Sequence, residues 1–270
     1  MPTDSTTIPA AIADYRIVRL LADGNHGKFY LAHAPARLGL QQSEVALKVF
    51  HNEITEDAYR RGVRELRAFA AVKSPRLVQI FDAVLDERFF YAMEYFPLGS
   101  LASPTRELSR SETIQTLHDA ALAVHELHEH GLVHGDVKPA NIMFDGTGGK
   151  LSDLGLVRTL NSESTVTSFA PAMSVEYIDP ELLQGAVPSR ASDIFALGAT
   201  INRALAGEGL YGELPPGQPL VAIRAAMSGQ AKVSRKLRDA EAMLVQACLA
   251  PAENRPPTAA AVAEALVGLK

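Results

Sequence analysis

The feature that most constrains this chain is a change of hydrophobic period about a third of the way along it. Up to Tyr95 the apolar residues mark short strands: Tyr15 to Leu21, Lys28 to Ala34, Glu44 to Phe50, Leu77 to Leu85 and Phe89 to Tyr95. One helical pattern interrupts them, Asp57 to Val72. Its apolar face carries Ala58, Val63, Leu66, Phe69 and Ala70, while Arg60, Arg61, Arg64 and Arg67 read as solvated charge. After the short connector Phe96-Pro-Leu-Gly-Ser100 the spacing turns helical, over Ser111 to Gly131, Ser192 to Ala206, Pro219 to Ser228, Arg238 to Leu249 and Thr258 to Val267. A strand-rich first third and a helical remainder predict an α+β chain of two lobes with a cleft between them, and ligands commonly bind in such clefts.

The chain has 270 residues, 47% of them apolar, enough to bury a large core. A net charge of −5 and the lack of a basic tract argue against a nucleic-acid or anionic-membrane partner. Cys248 is the sole cysteine, so no internal disulfide can form. That suits a reducing, cytoplasmic location, and its apolar helix makes Cys248 a core residue. No apolar run approaches the ~18 residues of a membrane span. Residues 1–13 read as a polar tail without the pattern of a signal peptide.

His134-Gly-Asp-Val-Lys-Pro-Ala-Asn141 groups a carboxylate, an ammonium and a carboxamide in one short turn. Phosphoryl transfer has a task for each: Asp136 receives the acceptor hydroxyl's proton, Lys138 steadies the moving phosphoryl group, and Asn141 holds a metal ion. Asp153-Leu-Gly155 follows Asp136 by 17 residues, after an expected hairpin through Gly146 to Gly149. Gly24 and Gly27, between two strands, fit either an ordinary hairpin turn or a backbone cradle for phosphates. Val45-Ala-Leu-Lys48 places a lysine in a strand that should be buried on both faces, which is costly unless the lysine is paired. Glu65, in the helix that follows, is the natural partner. The bland alternative is a solvated lysine at a strand end, with Glu65 an ordinary helix-surface charge. His118, His125, His128 and His130 read as a solvated helix face, since no third ligand completes a metal set around the His125/His128 pair.

In this order the motifs resemble those of the eukaryotic-like (Hanks-type) Ser/Thr protein kinases, over residues 14–269. Six positions depart from the family pattern: Ala22 for a glycine, His26 for an aromatic residue, Phe29 for Val, Gly135 for Arg, Leu154 for Phe and Asp179 for Ala. The resemblance implies a bilobal protein kinase-like fold, with a small antiparallel N-lobe at 14–95 containing one main helix and a mostly helical C-lobe at 96–270. It implies that the chain transfers the γ-phosphate of Mg-ATP to Ser/Thr hydroxyls of a protein substrate. Ala22, Gly24, Gly27, Phe29, Ala46, Lys48, Glu65, Met93, Glu94, Phe96 and Met143 would bind ATP. Asp136 and Lys138 would be catalytic, and Asn141 and Asp153 would hold Mg²⁺, with Mn²⁺ as a substitute. Ser174 would touch the catalytic Asp and Lys, Asp193 would hold the catalytic-loop backbone, and Arg255 would pair with Glu181. His134 would stack with Leu154 and Phe69. With Gly135 in place of Arg, activation-segment phosphorylation should matter less, so replacing Thr165, Thr167 and Ser168 by Ala should leave turnover little changed. The alanine-rich helices and Gly135 have a bacterial cast. Two alternatives accompany this reading: a scaffold that keeps the fold without phosphoryl transfer, and a small-molecule phosphotransferase of the aminoglycoside-kinase type.

Overall fold

A computed structural model describes residues 8–24, 27–51, 56–85, 88–153, 172–212, 214, 218–228 and 231–269. The chain folds into two units. One runs to Ala70 and takes in Val78–Tyr95; the other comprises Ala71–Leu77 and everything from Phe96.

The first unit is an antiparallel sheet with one helix. Its strands are β1 (Ala11–Ile12), β2 (Tyr15–Gly24), β3 (Gly27–His33), β4 (Glu44–Phe50), β5 (Ile80–Leu85) and β6 (Phe89–Glu94), in the order β1-β2-β3-β4-β6-β5. Helix α1 spans Glu56–Ala71. Strands β4 and β6 are central and buried almost throughout, as their near-continuous apolar runs predict. Tyr15, Tyr30, Leu47, Val49 and Phe90 pack as one core. The Tyr15 ring meets Phe90 edge-on at 5.7 Å and its hydroxyl donates to Asp82 at 2.8 Å. Gly27 pairs with Gly24 across the β2–β3 hairpin, and its lack of a side chain has a packing cause: a Cβ there would stand 2.3 Å from the Val49 carbonyl of β4.

The second unit carries a small sheet and a set of helices. Strands β7 (Gly99–Ser100), β8 (Ser103–Pro104), β9 (Ile142–Phe144) and β10 (Gly149–Leu151) run in the order β10-β9-β7-β8. The helices are α2 (Arg110–Glu129), α3 (Pro180–Leu183), α4 (Arg190–Ala206), α5 (Pro219–Met227), α6 (Asp239–Leu249) and α7 (Ala259–Val267). Ser109 and Glu112 form a reciprocal capping box at the start of α2. At its end Gly131 N–H donates to His128 and Leu132 N–H to Leu127, which satisfies two orphan carbonyls. Between these ends Leu117, Ala120, Ala121, Val124 and Leu127 are buried, and α7 and the β9–β10 hairpin pack on the helix. Cys248 is a core residue as expected, pressed so closely on Gly198 that a Cβ there would lie 2.5 Å from its own. Burial pushes its thiol up to about 12, so it is no nucleophile at neutral pH.

One strand is shorter than its pattern suggests. The run expected from Leu77 begins at Ile80, because Leu77 forms a parallel bridge with Leu151 and the Arg76 carbonyl accepts the Leu151 N–H at 2.8 Å. Residues 71–77 are thereby stitched into the second unit. Among the described residues no helix is long and apolar enough to cross a membrane.

Candidate active site

The β9–β10 hairpin is what brings the predicted polar residues together. Ile142 pairs with Leu151, and the Ser152 N–H continues the ladder to the Asn141 carbonyl at 2.8 Å. Asn141 and Asp153, 12 residues apart in sequence, therefore sit on neighbouring chains at one end of the hairpin. Asp153 itself has φ 55, in the left-handed region that Asp tolerates better than most residues and that clusters at functional sites.

Asp136 is bound into the same group. Lys138 Nζ donates to both of its carboxylate oxygens, at 3.0 and 2.8 Å, and Asn141 Nδ2 donates to Oδ2 at 2.9 Å and to the Asp136 carbonyl at 2.8 Å. Burial alone would raise the Asp136 pKa, but the Lys138 ammonium, with help from the Asn141 donor, holds it below the ordinary aspartate value. The Asn141 amide commits its nitrogen to Asp136, which turns its oxygen to the other side as a hard donor. A carboxamide oxygen and the carboxylate of Asp153 are hard oxygen donors of the kind that suit a small divalent cation.

The loop bearing Asp136 is anchored from beneath. Buried Asp193 of α4 accepts the His134 N–H through Oδ2 and the Gly135 N–H through Oδ1, each at 2.8 Å, in the backbone-holding role expected of it. Gly135 has φ +74, a conformation that glycine adopts without strain and any L side chain only at a cost. The His134 ring does more than pack. Its Nε2 lies 3.0 Å from the Ser152 carbonyl, and its Nδ1 accepts the Asp136 N–H at 3.2 Å. Burial pushes its pKa down, against the pull of the Asp193, Asp136 and Asp153 carboxylates. A neutral ring donating from Nε2 and accepting at Nδ1 satisfies both bonds, and it ties the two segments of the site to each other. Of the expected stacking partners, Leu154 lies outside the described residues.

One expectation needs correcting and another completing. His128 is not on a solvated face: it is buried, with Nε2 2.8 Å from Asp193 Oδ2, because it falls on the α2 stripe that faces inward. Arg255 does pair with Glu181 as expected, but its hydrogen-bonded carboxylate is Asp179. Both its terminal nitrogens donate to Asp179, Nη2 to Oδ1 at 3.2 Å, whereas Glu181 is half-exposed and 3.8 Å away. Asp179 caps α3 through the Glu181 N–H, and this leaves its carboxylate beneath the helix where Arg255 enters. Sequence reasoning also missed Arg203, which holds buried Glu176 by both carboxylate oxygens at 2.9 Å. Among the described residues, no group of three or more His, Cys, Asp or Glu could hold a metal ion.

In the first unit Ala46 and Met93 lie opposite each other on β4 and β6, both buried, and Ala22 lies opposite Phe29. Lys48 is 7% exposed, so it is no solvated strand end. The side chain of Glu65 lies outside the described residues, as do the side chain of Ser174 and residues 154–171 with Thr165, Thr167 and Ser168. At the connector, the Glu94 N–H donates to Gln79 at 2.9 Å and the Phe96 carbonyl accepts from Gly99 at 3.1 Å. Met143 is half-buried on β9.

The motif order over this framework is decided by comparison with known proteins: residues 15–266 match the protein kinase domain family. The chain belongs to that family. Kinases similar to it include RqkA of Deinococcus radiodurans, a DNA damage-responsive serine/threonine-protein kinase, at 33% identity over 208 residues, covering 72% of this chain and 30% of the relative. The serine/threonine-protein kinase PrkC of Bacillus subtilis is 28% identical over 200 residues, 72% of this chain and 30% of its own length. The serine/threonine-protein kinase PknB of Mycobacterium tuberculosis is 28% identical over 277 residues, 97% of this chain and 44% of its own length. This protein kinase domain thus spans 30% to 44% of the length of these bacterial relatives.

Proposed function

We propose that the chain is an ATP-dependent protein kinase that phosphorylates Ser/Thr hydroxyls of a protein, its kinase domain occupying residues 14–269. The observation that carries this is the hydrogen-bonded group Asp136–Lys138–Asn141, joined through the β9–β10 ladder to Asp153. Asp136 orients the acceptor hydroxyl and takes its proton as the bond to phosphorus forms. Lys138, already beside that carboxylate, faces the negative charge of the phosphoryl group in transit. Asn141 and Asp153 would hold Mg²⁺, or Mn²⁺ in its place, and the ion supplies neutralisation of the phosphate charge. Lys48 would serve the α- and β-phosphates, with Glu65 as the partner that the family resemblance implies. Phe29 is likewise assigned to ATP binding, and Ala22, Gly24, Gly27, Ala46, Met93, Glu94, Phe96 and Met143 would serve the rest of the nucleotide.

Among the described residues, the mutual hold of Asp136, Lys138 and Asn141 favours a chemical role over a scaffold. The aminoglycoside-type alternative differs in its acceptor. The test is a panel of acceptors offered with labelled ATP and Mg²⁺: a Ser/Thr-rich protein and small alcohols at equal hydroxyl concentration. Label on the protein is the expected result. Label passing mainly to small alcohols would replace this reading with the small-molecule one.

A further inference from the structure

We propose that Phe29 is a positioning residue for Lys48, closing an aromatic box that holds the ammonium where nucleotide phosphates would meet it. This rests on the kinase reading above. Phe29 is directly opposite Lys48 on β3, and Tyr91 is directly opposite it on β6. Paired residues of antiparallel strands project from the same face of the sheet, and so does Phe50, two residues along β4. The Lys48 Nζ accordingly lies 5.2 Å from the Phe29 ring centre, 5.6 Å from Phe50 and 5.9 Å from Tyr91. Three rings within ~6 Å are within range for cation–π attraction.

The box suits this lysine's task. Ring faces attract an ammonium through their quadrupoles and bring no formal charge of their own. They also make burial of Lys48 tolerable in a strand that is buried on both faces. The box has a firm back: Phe50 stacks on Phe89 with centroids 5.1 Å apart, and Tyr59 of α1 meets Phe89 edge-on at 5.5 Å. Phe29 is its half-buried wall, the one on the glycine hairpin's own strand. Opposite Phe29 on β2 stands Ala22, too small to push the ring aside. The bulk that the sequence sets where the family has Val is therefore directed at the lysine.

The experiment compares Phe29→Leu, which keeps volume but removes the ring, with Phe29→Tyr, which keeps the ring. In the nucleotide-free protein the Lys48 ε-methylene protons, identified by their loss in Lys48→Arg, should be shifted by ring currents in wild type and Phe29→Tyr. They should move toward ordinary lysine values in Phe29→Leu. The KM for ATP should rise about five- to tenfold in Phe29→Leu, the scale of one cation–π contact, while inhibition by adenosine, which has no phosphates, stays unchanged. Parallel weakening of ATP and adenosine would mean that Phe29 packs on the base instead, and the proposal would be overturned. It would equally be overturned if Phe29→Leu left both the lysine signals and the KM where they were. If wild type transfers no phosphate at all, the kinase reading fails, yet the lysine signals still decide whether the box exists.

Discussion

Asp136→Asn is expected to lower the rate of phosphoryl transfer by ~10²–10⁴-fold, the usual contribution of a positioned acid–base group. In the native loop the two carboxylate oxygens receive three donated hydrogen bonds, two from Lys138 and one from Asn141. A carboxamide offers one acceptor oxygen and turns an NH₂ toward a donor, so the acceptor hydroxyl loses its base and Lys138 its full counter-charge. The side chain is partly exposed, at 36%, so the melting temperature should move little. The pH dependence has a definite sign. Because Lys138 outweighs burial and depresses the Asp136 pKa, the carboxylate stays ionised until the pH falls below the ordinary aspartate value of ~4. A rate profile followed by initial velocities should therefore show no acid limb from this group between about pH 5 and 8, well above that value. A limb near pH 6 that vanishes in Asp136→Asn would contradict the assigned electrostatics.

The second large effect is on stability. Asp179→Ala should cost ~3–5 kcal/mol, because it strands a buried guanidinium. Arg255 would keep the Ala250 and Ala191 carbonyls, at 2.8 and 3.0 Å, the face of Phe195 at 5.4 Å and, at 3.8 Å, the half-exposed Glu181 carboxylate. Of these only Glu181 carries charge, and it lies beyond hydrogen-bond distance in a solvent-screened position. Glu181→Ala, by contrast, removes a half-exposed carboxylate 3.8 Å from the guanidinium and should cost no more than ~1 kcal/mol. Thermal unfolding of the two variants should differ by on the order of 10 °C. A larger loss for Glu181→Ala would make Glu181, not Asp179, the dominant partner of Arg255.

That contrast shows where sequence reading succeeded and where it stopped. The longer strands, the main helices and the β9–β10 hairpin were legible, because hydrophobic period and glycine turns are local signals. Which carboxylate hydrogen-bonds Arg255 was not. Two acidic residues two positions apart both lie near it, and only the geometry of the Asp-Pro cap selects between them. His128 was misjudged by residue type, although a local signal existed: it follows Ala121, Val124 and Leu127 on the buried stripe of α2. Gly27 was read for a phosphate, yet its immediate constraint is the carbonyl of Val49 from β4, a contact set by strand pairing. For Phe29 the sequence disclosed bulk, and only strand register disclosed its direction.

The most direct measurement is identification of the phosphorylated residue after wild-type protein and Asp136→Asn are incubated side by side with γ-labelled ATP, Mg²⁺ and a Ser/Thr-containing protein acceptor. Phosphoserine or phosphothreonine in the acceptor, formed by wild type and nearly absent with Asp136→Asn, is the predicted outcome. Equal label from both proteins, or none from either, would contradict the assignment of phosphoryl transfer to this site.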